Sequence, residues 1–177
     1  METACNSRTS SNGQNAAASR KTIMPKLCLV VGDAPCKDAD LTAALDLVDE
    51  FDVCCVNKAG LWYPGDFEHW FSWHANMLVD DWAQERRGPR LHSTYDYPGV
   101  EVWSVDNRYC GSGLLAVQVM LDCLEYDKAL LVGMPMTFEY ERFLSNWDSG
   151  DMGWRIRSMS GNTKIMFGYP SLEWING

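Results

Sequence analysis

Residues 26–35, KLCLVVGDAP, constrain the fold of this chain more than any other stretch. A nearly unbroken apolar run meets Gly32-Asp33-Ala34-Pro35 and stops. Runs of this kind are strands buried on both faces, as in parallel sheets covered by helices above and below. Residues 130–135, LLVGMP, repeat the device. In open α/β sheets, ligands bind outside the carboxyl ends of the strands, where glycine lets backbone approach a phosphate. Two buried strands that each end in glycine predict one cleft and a nucleotide-type ligand.

The rest of the chain fits that frame. A helix capped by Asp38 or Asp40 follows the first strand, with Leu41, Ala44, Leu45 and Val48 on its apolar face. Residues 51–57, FDVCCVN, read as a second strand. Residues 66–87 admit two readings: a strand to His74 followed by a helix to Arg87, or one aromatic helix throughout. The first is preferred, because Met77, Leu78, Trp82 and Ala83 have helical spacing and Gly88-Pro89 ends it. Residues 100–105, VEVWSV, read as a strand, residues 114–124 as an apolar helix, and residues 127–133 as another strand. The expected fold is α/β: a doubly wound, mostly parallel, Rossmann-like sheet of about five strands. Residues 137–177 are expected to form an aromatic-rich flank or lid, with a helix over 138–146 and irregular structure beyond. Residues 1–24 are polar, without apolar period, and are expected to be a disordered arm ahead of a single domain over 25–177.

Charge and cysteine usage narrow the function. The net charge is −9, and Glu2 faces Arg8, Arg20, Lys21 and Lys26 in the amino-terminal segment, so the acidic excess lies wholly beyond it. That argues against a grip on extended nucleic acid, but not against a small nucleotide. Seven cysteines, an odd number without a C-x-x-C pair, fit a reducing cytoplasm. No apolar run approaches the about 20 residues that span a bilayer, so no membrane association is expected. The eight tryptophans exceed what a core absorbs, and some of them are expected to line a groove or an interface.

Several residues are candidates for a site, each with a plainer structural reading beside it. Gly32, Asp33, Ala34, Pro35 and Cys36 form a turn whose amides suit an anion, or a βα turn that merely needs glycine. Asn57 and Lys58 end the second strand, where Asn suits a base or ribose and Lys a phosphate; Asn is also common there for turn reasons. Ser112 and Gly113 open a helix and suit a phosphate, or serve as its cap. Gly133 and Met134 end the last strand. His74 is the candidate general base, or a packed histidine among Trp70, Phe71 and Trp73. His69 lies five residues earlier, on the opposite face of a strand, so the two are not expected to share a metal. Arg155, Arg157 and Lys164 surround a Ser/Gly-rich loop that suits phosphate, although ion pairing in so acidic a chain is the preferred account of them. Asp33, Asp106, Asp148 and Asp151 have the oxygen chemistry of Mg²⁺ ligands, but nothing in their spacing assigns one.

The ordered set Gly32 to Cys36, Cys55 to Asn57, Gly111 to Gly113 and Gly133 to Pro135 resembles a known Rossmann-like domain. MptE-like 6-hydroxymethylpterin pyrophosphokinases, motility-accessory-factor glycosyltransferases and bacterial sialyltransferases share it. The resemblance covers residues 26–136 and implies a nucleotide or nucleotide-sugar ligand, and a small glycosyl- or phosphoryl-transferase if there is turnover. The chain departs from the pattern at Cys36, where that family has Ser, and at Met134-Pro135, where an acid often follows the glycine. HWFSWH (69–74), LLVGMPM (130–136) and RIRSMSG (155–161) also resemble small proteins of phages and prophages. That implies two alternatives to an enzyme: a structural or assembly component of a virion, and a protein that sequesters a host nucleotide.

Overall fold

The computed structural model describes residues 25–105, 111–147 and 152–177. The arm 1–24 and Asp106, Asp148 and Asp151 lie outside the described residues.

Seven parallel strands make one sheet: β1 (Leu27–Val31), β2 (Asp52–Val56), β3 (His69–Phe71), β4 (Arg90–Ser93), β5 (Glu101–Val102), β6 (Lys128–Val132) and β7 (Ile156–Ser158). Their order is β5-β4-β3-β2-β1-β6-β7. β1 is buried at every position, as its unbroken apolar run requires. Its residues alternate between two cores. Leu29 and Val31 face α1 (Lys37–Leu45) through Leu41 and Ala44. Cys28 and Val30 face α3 (Ser112–Gln118) through Leu114, Leu115 and Val117. The fold is therefore α/β with helices on both faces of a parallel sheet. Burial pushes the Cys28 and Cys54 thiols far up, which leaves them as small hydrophobes.

The structure differs from expectation at several elements. Neither Asp38 nor Asp40 caps α1, whose cap position is Cys36 without a side-chain bond. A single helical turn, α2 (Ala59–Trp62), follows β2 where no helix is expected. β3 ends at Phe71, and a π-helical segment, Met77–Trp82, then buries Leu78 and Trp82. The strand expected over 100–105 shrinks to the two-residue edge β5. β4 and β7 are additional strands, which brings the count to seven. The flank begins with a 3-10 turn, Phe138–Phe143, that passes into α4 (Leu144–Trp147). Beyond it the chain is ordered into β7, α5 (Gly161–Phe167) and α6 (Leu172–Asn176). Among the described residues no helix is long and apolar enough to cross a membrane.

Candidate functional site

The chain leaves β1 toward β2 on one side of the sheet and returns as β6 on the other, so the topological switch point lies between β1 and β6. The sequence-nominated tips do meet there, but they meet each other. A Cβ at Gly32 would stand 2.6 Å from the Gly133 carbonyl oxygen and 2.6 Å from Met134 Cγ. The Ala34 amide donates to the Gly133 carbonyl at 3.2 Å. A Cβ at Gly113 would lie 3.2 Å from Met134 Sδ and 3.4 Å from the Trp147 indole. Trp147 is itself 1% exposed. Met134 and Trp147 thus fill the space between the first turn and the start of α3.

Asp40 completes the closure. Its buried carboxylate accepts from the Gly133 amide at 3.0 Å and from the Ser160 hydroxyl at 2.6 Å. Cys36 Sγ lies 3.3 Å from the same hydroxyl, and burial raises its pKa, so the thiol stays protonated. Asp33 points outward to Lys37 at 3.0 Å, and Pro35 is exposed. Asp40→Ala would strand a buried amide and a hydroxyl, at a cost of about 2 kcal/mol. Urea unfolding checks this, with Ser160→Ala expected to lose less because it removes only one partner.

The second group of nominated residues is joined by side-chain bonds. Asn57 holds φ +52°, a conformation asparagine tolerates, and its Oδ1 accepts from Ser72 Oγ at 2.9 Å. Ser72 Oγ in turn accepts from the His74 amide at 3.0 Å. The Ser112 hydroxyl accepts from the Trp73 amide at 3.2 Å. Lys58 is exposed beside Asn57. Asn57, Lys58, Ser112 and His74 therefore share the carboxyl edge of the sheet with Gly32 and Gly133.

An open groove of about 510 Å³ lies on that edge, beyond β3 and β4. Trp73, His74, Asn76, Tyr95, Asp96 and Tyr97 line it. The Trp73 and Tyr95 rings are nearly parallel, 23° apart with centroids at 5.9 Å, and His74 stacks on Trp73 at 6.4 Å. The Trp73 indole N–H is buried without an acceptor among the described residues. Of these side chains the sequence nominated only His74 as catalytic. Residues 94–98, TYDYP, carry the missed signal: two tyrosines around an aspartate just before a proline.

A buried polar strut holds the two strands beneath this groove. An indole N–H can only donate, so Trp103 Nε1 gives its hydrogen to His92 Nδ1 at 3.0 Å. His92 then carries its own proton on Nε2 and donates to His69 Nδ1 at 2.9 Å. His69 donates from Nε2 to the Tyr126 hydroxyl at 2.9 Å, and that hydroxyl donates to Asp52. The indole at one end and the carboxylate at the other fix both tautomers. Burial holds both imidazoles down to about 4, helped at His69 by Arg90 and at His92 by His69. The His69–His92 bond ties β3 to β4, whose extensions carry the two groove walls.

The basic residues of the flank are engaged elsewhere. Arg155 donates to the Leu121 and Tyr126 carbonyls at 2.7 and 2.6 Å and pairs with Asp122 at 3.1 Å. Arg157 lies over the Trp174 ring, and Lys164 over Tyr169. Among the described residues no group of three or more His, Cys, Asp or Glu side chains could hold a metal ion. No protein-family model, curated protein or solved structure matches the chain.

Proposed function

We propose that this chain binds a nucleotide or nucleotide-sugar on the carboxyl edge of its sheet, with the base in the aromatic groove. One observation carries the reading: His74, Asn57 and Ser112 share an edge with a groove lined by two aromatic rings stacked on each other. Aromatic faces bind nucleobases by stacking, at about 1–3 kcal/mol per base. Met134 occupies the space at Gly32, so the groove receives the ring in place of the switch-point crevice. His74 is exposed at the groove wall, where an imidazole serves as general base for an acceptor hydroxyl in a transferase.

Calorimetry against CMP, CDP, GTP, ATP and CMP-sugars tests this. The expected result is binding by at least one of them, weakened about tenfold in Tyr95→Ala. His74→Ala is expected to leave binding nearly unchanged and to lower any transfer rate by about 10²-fold or more. Silence across the panel overturns the proposal. Tight binding without turnover identifies the nucleotide-sequestering role.

The flank supports a second reading, a non-catalytic structural or assembly protein of a phage. Trp154 is 67% exposed, Ile165 84% and Leu172 62%, which leaves apolar side chains of the flank to solvent. A stoichiometric copy in purified particles would place the protein in the virion rather than the cytoplasm.

A further inference from the structure

The groove has a charge pattern that narrows its occupant. Among the described residues its lining includes Asp96 and contains neither Lys nor Arg. Asp96 is exposed and has no hydrogen-bond or ion-pair partner among the described residues. A second carboxylate stands behind the wall, where Asp80 accepts from the Tyr97 hydroxyl at 2.5 Å. Among the described residues nothing in the lining neutralises a phosphate, and two carboxylates repel one. A neutral ring that presents N–H donors meets both requirements: faces for Trp73 and Tyr95, and hydrogens for Asp96.

We infer that the groove takes a nucleobase bearing an exocyclic amine, with the phosphate held outside, and rejects uracil. This rests on the nucleotide-binding reading above. Guanine presents N1–H and N2–H side by side to a carboxylate, and cytosine and adenine present an amino group. Uracil presents one N–H between two carbonyl oxygens, whose lone pairs face the Asp96 carboxylate. The phosphate, excluded by charge, contributes little to affinity.

Titration of the full chain with guanosine, cytidine, uridine and their 5′-monophosphates, read by calorimetry, tests the inference. Guanosine or cytidine is expected to bind about tenfold or more tighter than uridine. Each monophosphate is expected to bind no more than about threefold tighter than its nucleoside. Asp96→Asn is expected to erase the preference while binding persists; the side chain is exposed, and circular dichroism confirms its fold. Uridine binding as tightly as guanosine and cytidine, or a phosphate that adds about tenfold or more, overturns the inference and leaves nucleotide binding standing. Binding by no nucleoside and no nucleotide overturns both.

Discussion

Taking the protein from pH 7 to pH 4 will cost it roughly 3 kcal/mol of folding stability through one buried histidine, and somewhat more through two. His69 and His92 titrate near 6.5 in an unfolded chain and are held to about 4 in the fold. Below 6.5 the unfolded chain takes up protons that the folded protein refuses. Stability is therefore complete above that pH, falls as pH drops through the window, and levels off only below about 4. Burial is the main cause, so the effect survives added salt better than a surface ion pair would. Arg90 opposes the charge on both rings, whereas Asp52 favours it at His69 and Glu101 at both. A second proton on His69 sets its Nδ1–H against the His92 N–H, one on His92 sets its Nδ1–H against the Trp103 indole N–H, and the two rings are neighbours, so the losses do not simply add. Urea midpoints at pH 7, 5.5 and 4 measure this. A double variant, His69→Gln with His92→Gln, should be less stable at pH 7 and flatter across the range. A native protein with no slope between pH 7 and 4 would show that water reaches the strut.

Gly133→Ala should destabilise the fold by about 3 kcal/mol, combining backbone strain with overpacking. Gly133 holds φ +62°, where a Cβ crowds the following carbonyl. The added carbon would also stand 2.7 Å from the Gly32 oxygen and 2.9 Å from Lys37 Cβ. Neither atom can swing aside, because one belongs to a strand-end backbone and the other to the base of a helical side chain. Gly111→Ala is the control, since a Cβ there meets nothing within 4 Å among the described residues and its φ is −72°. Thermal unfolding of the two variants should separate them by about 6–12 °C, at about 2–4 °C per kcal/mol. Equal melting would mean that the β1 and β6 tips are loosely apposed.

The central sheet was legible because its strands are buried on both faces and carry that fact in composition. LCLVV and DVCCV have few other readings, and the glycines that stop β1 and β6 mark the carboxyl edge. β4 and β7 were not legible. RLHS and IRS are four and three residues long, and each contains an arginine. Their burial comes from neighbours supplied by distant parts of the chain: β3 flanks β4, and Leu131 pairs with Ser158 of β7. At the site, the edge was legible and the occupant of the crevice was not. Met134 and Trp147 converge on Gly113 from segments with no local signal for that contact. For Arg155 the acidity of the chain favours ion pairing over a phosphate, and its guanidinium meets four backbone and side-chain oxygens of its own chain.

The position of β1 has a consequence during synthesis. Its two neighbours come from opposite parts of the chain: β2 follows soon after, while β6 begins only at Lys128. A nascent chain can lay β1 through β5 side by side as they leave the ribosome, yet one flank of Leu27–Val31 stays bare until residue 132 has emerged. That bare flank belongs to a strand apolar at all five positions, and it is open for seconds at ordinary elongation rates. A stalled or prematurely terminated product ending before β6 would expose it permanently.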